Sequence, residues 1–229
     1  MDKKLSVVIP VYNEARTVRE IVERVIAVPI DKEIILVDDG STDATPETLK
    51  ELRRRHPEVK VLTRAHNAGK GTALRCGFAR ASGDVIIVQD ADLEYDPRDY
   101  PALLAELERP GVDLVYGSRI LGRNSFAHAS FFVGGQLVSL AAGLLFRTHI
   151  SDEPTCYKVF PRKLLERIGL ECTGFEFCAE MTAKALRRGY TIREVPIRYA
   201  PRSIREGKKL RWLDGLKAVY ILLKYRLVD

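Results

Sequence analysis

The chain has 229 residues, 46% hydrophobic and 30% charged, a balance that excludes both a disordered chain and a multi-span membrane protein. Its length suffices for one domain with a substantial core. The net charge of +6 is modest, but Arg202, Arg205, Lys208, Lys209 and Arg211 crowd one stretch, which suits an anionic partner such as phosphate or an acidic lipid surface as well as a solvated face. Cys76, Cys156, Cys172 and Cys178 form no C-x-x-C pair and read as reduced thiols. The first residues run straight into a strand-like segment without a signal-peptide apolar stretch, so a cytoplasmic location is expected.

Residues 5–11 are a β-branched run closed by Pro10 and followed by Tyr12-Asn13-Glu14, and residues 15–28 carry apolar side chains at helical spacing. This strand-turn-helix lacks G-x-G-x-x-G, which argues against a nicotinamide dehydrogenase. Tyr12 can flank a base and Glu14 can bond a ribose or base, although packing and helix N-terminal charge explain both equally. A second strand, 33–37, ends in Asp38-Asp39-Gly40-Ser41-Thr42-Asp43, where a carboxylate can hold a ribose hydroxyl and the following residues can cap a helix. A third strand, 59–63, leads to Asn67-Ala68-Gly69-Lys70-Gly71 and a helix expected over 72–81. The spacing is not that of a Walker A loop, yet such a turn can present amides and the Lys70 ammonium to phosphate.

The four apolar residues 85–88 read as a strand buried on both faces, stopping abruptly at Gln89-Asp90-Ala91-Asp92-Leu93-Glu94. In an open α/β sheet ligands gather beyond the carboxyl ends of the strands. There Asp90 and Asp92 can offer two hard oxygens to one divalent cation and so neutralise a diphosphate. The same Asp-x-Asp also serves as a solvated turn. A helix over 97–107 and a strand over 112–116 ending near Arg119 complete a mostly parallel α/β sheet with one functional rim.

The remainder has another character. Residues 131–146 are apolar but interrupted by polar residues and glycines, which fits an interfacial or buried helix rather than a spanning one. Further strands are expected over 155–160 and 192–199, with a helix over 175–188 that carries Glu176 and Glu180 on one face. The stretch 212–227 reads as a basic amphipathic helix that can rest on a bilayer or dock on the sheet.

Taken together, V-V-I-P-V-Y-N-E, I-I-L-V-D-D-G-S-T-D, N-A-G-K-G-T-A-L, V-Q-D-A-D-L-E-Y-D and Y-G-S-R resemble family 2 glycosyltransferases of the GT-A fold, over nearly the whole chain. D-E-P-T-C-Y-K-V-F, G-F-E-F, E-V-P-I-R-Y and Arg202 with Gly207-Lys208-Lys209 look like the branch of dolichyl-phosphate mannose synthases and polyprenyl-phosphate glycosyltransferases. The resemblance implies a single catalytic domain over 1–229, with a nucleotide-sugar half (1–120) and an acceptor and membrane-facing half (121–229) that ends in amphipathic helices. It implies inverting transfer of a hexose from a nucleoside-diphosphate sugar to a polyprenyl phosphate, with peripheral contact at the cytoplasmic membrane face and no nucleic-acid partner. By the same resemblance Pro10, Tyr12, Glu14, Val37 and Asp39 line the nucleoside. Asp90, Ala91 and Asp92 form the diphosphate site, with Asp90, Asp92 and Glu94 around Mg2+ or Mn2+. Arg119, Arg202 and Lys208 hold the donor diphosphate or the acceptor phosphate, Lys70 adds charge beside them, and Asp92 and Arg119 are the expected catalytic residues. A phosphate acceptor is already anionic and needs no general base. Transfer to a saccharide hydroxyl, the alternative, would draw on Glu176 or Glu180 as base.

Overall fold

The computed structural model describes residues 3–124, 129–202 and 212–228. Seven strands form one sheet in the order β3-β2-β1-β4-β6-β5-β7. They are β1 (Leu5–Val11), β2 (Lys32–Asp38), β3 (Val59–Thr63), β4 (Val85–Val88), β5 (Leu114–Ser118), β6 (Lys158–Pro161) and β7 (Ile192–Pro196). Only β6 runs against its neighbours, β4 and β5; the other pairings are parallel. Parallel neighbours need crossovers, and α1 (Val18–Ala27), α2 (Thr45–Arg55) and α3 (Lys70–Phe78) supply them in the first half. Because both sheet faces are covered, β1, β2 and β4 are apolar almost throughout, and α1 buries the stripe Val18, Ile21, Val22 and Val25 against them.

Several boundaries differ from the sequence expectation for local reasons. The helix after β3 begins at Lys70 rather than residue 72. The segment expected as one helix over 97–107 opens with a single 3-10 turn, Pro97–Asp99, capped by the Asp96 carboxylate accepting the Arg98 N–H at 3.0 Å, before α4 (Tyr100–Leu107). Strand β7 stops at Pro196, and Tyr199 retains only an isolated bridge to Tyr95. Thr155 lies ahead of β6, its hydroxyl bonded to the Gly117 carbonyl at 2.6 Å.

A second, smaller core lies where α5 (Ala129–Phe146), α7 (Phe177–Arg187) and α8 (Trp212–Leu227) meet; α6 (Leu164–Ile168) is a short helix after β6. Val138 and Ala142, Ala179 and Ala183, and Ile221, Leu222 and Tyr225 fill it, the alanines allowing close approach. The outer stripes of the two flanking helices stay bare: Val133, Leu137, Leu140 and Leu144 on α5, and Trp212, Leu216, Tyr220, Leu223 and Leu227 on α8. Spacings of three and four put each set on one helix face, and α5 packs on α8. Among the described residues no helix is long and apolar enough to cross a membrane.

At the opposite end of the sheet from the Asp-x-Asp turn, Glu33 is almost fully buried and joins three segments. It accepts from the Ser6 hydroxyl at 2.6 Å, the Ser82 amide at 2.6 Å, the Gly83 amide at 3.1 Å and Lys60 Nζ at 2.5 Å. Burial pushes its pKa up, but these donors, Lys60 foremost, outweigh it and hold the carboxyl at about 2. A carboxylate depressed from 4.5 to about 2 contributes up to about 3 kcal/mol above pH 4.5, and this is lost as pH falls through 2. Urea unfolding of Glu33→Gln should therefore show destabilisation by about 2–3 kcal/mol at pH 7. The gap to wild type should narrow as pH drops from about 5 towards 2; a pH-independent gap would contradict it.

Candidate active site at the carboxyl rim

Beyond β4 the chain is held before it reaches the acids. Gln89 is buried; its Oε1 accepts from the hydroxyls of Tyr100 and Tyr157, each at 2.7 Å, and its Nε2 donates to the Asp90 carbonyl at 3.1 Å. Asp90 Oδ1 then meets Lys70 Nζ, delivered by the start of α3, at 2.5 Å. Burial opposes both charges, yet each outweighs it for the other, so Asp90 titrates below and Lys70 above its ordinary value. Asp92 behaves differently. Burial first, then the charges of Asp90 and Glu94, push its pKa up to about 7 despite the opposing Arg202. A second full negative charge is thus disfavoured at this turn even with Arg202 beside it.

Arg202 is carried by the segment after β7. Its guanidinium lies 3.0 Å from Asp92 Oδ2 and donates to Glu14 Oε1 at 3.0 Å. Its main-chain N–H donates to Glu94 Oε1 at 2.9 Å, while Glu94 Oε2 accepts from the Tyr199 hydroxyl at 2.8 Å. Thr17 Oγ1 lies 2.9 Å from both Glu14 Oε2 and the Ala91 carbonyl, tying the ends of β1 and β4 together. The expected metal set of Asp90, Asp92 and Glu94 is therefore not assembled. Among the described residues no three possible ligands are grouped to hold a metal ion, because each carboxylate has found its own donor. The chemistry of the set still fits Mg2+ or Mn2+: two carboxylates two residues apart supply hard oxygens, and such ions take their remaining ligands from water and substrate phosphates.

The nucleoside side is built on the end of β2. Asp39 is 2% exposed, and its Oδ2 accepts from the amides of Ala68 at 3.1 Å and Gly69 at 2.8 Å, with Arg64 Nε 3.1 Å from Oδ1. Oδ2 pins the 68–69 turn to the end of β2, while Oδ1 has no hydrogen-bond partner among the described residues. The Thr72 amide donates to the Thr173 carbonyl at 3.1 Å, and Gly71 leaves room for the Cys172 carbonyl, which would lie 2.4 Å from a Cβ. The amides of Ala68, Gly69 and Thr72 are therefore engaged within the protein, and of the expected phosphate cradle the Lys70 side chain is what reaches the acids. Val37 is fully buried against Gly77 and can offer a ligand only its main chain. Pro10, in register with Val37, and Tyr12 remain partly exposed at the rim.

Arg119 follows β5 and is clamped. Its Nε and Nη2 donate to the two oxygens of Asp152 at 2.8 and 2.7 Å, its own amide donates to Asp152 Oδ2 at 2.8 Å, and the Tyr199 ring lies 5.2 Å from the guanidinium carbon. Asp152 is held in turn by Glu194, which accepts the Ser151 and Asp152 amides at 2.8 and 3.0 Å. Asn124 bridges the Arg119 and Ile197 carbonyls and the Tyr199 amide. Sequence reasoning did not single out Asp152, Thr17, Tyr199 or Asn124; the available signal was the acidic D-E-P-T ahead of a strand. Lys208 lies outside the described residues. Glu180 is fully buried, accepts the Glu171 and Cys172 amides at 2.8 Å each and pairs with Lys184 at 2.8 Å, so it is no free base.

This architecture has close parallels. Residues 6–169 match the family model described as Glycosyl transferase family 2. A dolichol-phosphate mannosyltransferase of Pyrococcus furiosus is 31% identical over 97% of this chain and 64% of its own length. The low-salt glycan biosynthesis hexosyltransferase Agl6 of Haloferax volcanii is 32% identical over 96% and 53%. A dodecaprenyl-phosphate galacturonate synthase of Rhizobium johnstonii is 40% identical over 51% and 36%. The chain thus spans at most 64% of the length of these relatives. Among solved structures, glucosyl-3-phosphoglycerate synthase from Mycobacterium tuberculosis, in complex with Mn2+, uridine diphosphate and phosphoglyceric acid, superposes with a TM-score of 0.74 at 21% identity, over all of this chain and 80% of that one. The fold is the GT-A arrangement expected from the resemblance, and the chain belongs to glycosyl transferase family 2.

Proposed function

We propose that the chain is one catalytic domain that transfers a hexose from a nucleoside-diphosphate sugar to a polyprenyl phosphate, with inversion, on the cytoplasmic face of a membrane. One observation carries the lipid-phosphate reading: the bare apolar helix α5 is bonded directly to the segment that grips Arg119. Gln136 Nε2 donates to the Ser151 carbonyl at 3.1 Å and Ser139 Oγ accepts the Glu153 amide at 2.9 Å, on either side of Asp152. An arginine suited to phosphate thus adjoins a surface suited to acyl chains. The polyprenyl-phosphate and dolichol-phosphate names of two relatives support the same acceptor.

In this reading residues 1–120 supply most of the donor site and 121–229 most of the acceptor and membrane-facing surface. Pro10, Tyr12 and Glu14 border the nucleoside, with the Val37 main chain behind them and Asp39 shaping the adjoining turn. Asp90 and Asp92, and Glu94 once freed, would hold Mg2+ or Mn2+, which would supply Lewis-acid stabilisation of the leaving diphosphate; the Mn2+ complex of the solved neighbour supports a divalent ion. Lys70 and Arg202 add positive charge beside that diphosphate, and Lys208 extends it. Arg119, its fork fixed by Asp152, orients the acceptor phosphate, whose oxygen attacks the anomeric carbon from the face opposite the leaving group. A phosphate acceptor requires no base; of the two candidates for a saccharide hydroxyl acceptor, Glu180 is sequestered and Glu176 is partly exposed, accepting the Gly174 amide.

Asp92→Ala should lower transfer at least a thousandfold while melting within a few degrees of wild type, since Arg202 keeps Glu14. The measurement is incorporation of labelled sugar from GDP-mannose and UDP-glucose type donors into organic-extractable polyprenyl phosphate; normal turnover would exclude the site. Leu140→Glu with Leu144→Glu should weaken sedimentation with anionic vesicles by about a hundredfold and leave nucleotide binding in detergent unchanged. Undiminished vesicle binding would remove the apolar face from the reading.

A further inference from the structure

The acid cluster is closed by a residue of the chain itself. The Arg202 guanidinium reaches Glu14 through Nη1 at 3.0 Å and Asp92 through Nη2 at 3.0 Å, and its Nε stands 3.9 Å from Glu94. It is held from behind by Glu94, whose carboxylate accepts the Arg202 amide and whose carbonyl accepts the Ala200 amide at 2.8 Å. The Tyr199 hydroxyl occupies the other Glu94 oxygen. Glu94, expected as a metal ligand, therefore acts here as the anchor of the 199–202 segment. The fit is imperfect, since Arg202 Nε is buried with no hydrogen-bond partner. Asp92 cannot present Oδ2 to an incoming cation while this guanidinium covers it.

We propose that Arg202 is an internal counter-cation that a divalent ion must displace from Glu14 and Asp92, with Glu94 the positioning residue that sets how firmly the segment is latched. Entry of the ion is an exchange of one cation for another, and the arginine it releases faces the rim at the moment a diphosphate needs positive charge. This rests on the divalent-ion reading above but concerns the order of events at the site. It also explains why two hard carboxylates at a sheet rim form no ready-made cage: the metal-free protein satisfies them from within.

The exchange has an unusual signature, because charge conservation and charge removal give outcomes that bulk electrostatics does not. Arg202→Lys keeps the net charge, but a compact ammonium lacks the planar fork that reaches Glu14 and Asp92 together. Glu14→Gln removes a negative charge, which by field alone weakens cation binding, yet it frees one arm of the latch. Mn2+ affinity of the full chain without nucleotide, read from the paramagnetic resonance of free Mn2+, should be about tenfold tighter in Arg202→Lys and about threefold tighter in Glu14→Gln than in wild type. Unchanged or weaker affinity in Glu14→Gln overturns the proposal, and does so even where Arg202→Lys fails to give a native melting curve. Equal Mn2+ binding by all three proteins removes the latch and leaves the divalent-ion reading intact. No Mn2+ binding by any of them, with or without UDP or GDP, removes both.

Discussion

Four carboxylates, Glu14, Asp90, Asp92 and Glu94, stand near one another at the carboxyl rim of the sheet, largely out of water. Like charges in such a place repel and are poorly solvated, so the surrounding chain must supply a donor for each. Lys70 reaches Asp90 from the first turn of α3, Arg202 reaches Glu14 and Asp92 from beyond β7, and Tyr199 with the Arg202 amide satisfies Glu94. The placement of α3, the adjacency of β1 and β4, and the return of the chain after β7 all serve this one electrostatic requirement. In the proposed function these same side chains are what an ion and a diphosphate would replace at the rim.

A second ion pair organises the other half. Strand β6 is antiparallel because the chain leaves the sheet after β5, builds α5 in the smaller core, and comes back across the rim before pairing between β4 and β5. That return brings Asp152 to Arg119 in a two-oxygen clamp, and Tyr199 stacks on the same guanidinium while its hydroxyl bonds Glu94. One tyrosine therefore touches both halves of the site. The helices of the smaller core meet through Val138, Ala142, Ala179, Ala183, Ile221, Leu222 and Tyr225 and leave rows of large apolar side chains exposed on α5 and α8.

The strands and their order of function were legible because β-branched runs and their abrupt polar ends are local signals. Residues 5–11, 59–63 and 85–88 needed no tertiary information, and neither did the placing of Glu14, Asp90, Asp92 and Arg119 at strand ends. What each of these side chains faces was not legible. The Gly69 amide looks like a ligand group until Asp39 Oδ2 takes it, and Glu180 looks like a free base until Lys184 and two amides take it.

The sequence by itself determined the α/β class, the single polar rim, the acid pair and the apolar stretch of the second half, all of which follow from periodicity and motif spacing within a dozen or so residues. The tertiary structure decided which charges pair. Arg202 and Glu14 lie 188 positions apart and Arg119 and Asp152 33 apart, distances over which no local pattern acts. Whether a buried acid is a ligand, a latch or a staple depends on which cation or amide the folded chain brings within 3 Å of it, and that is fixed only when the sheet closes.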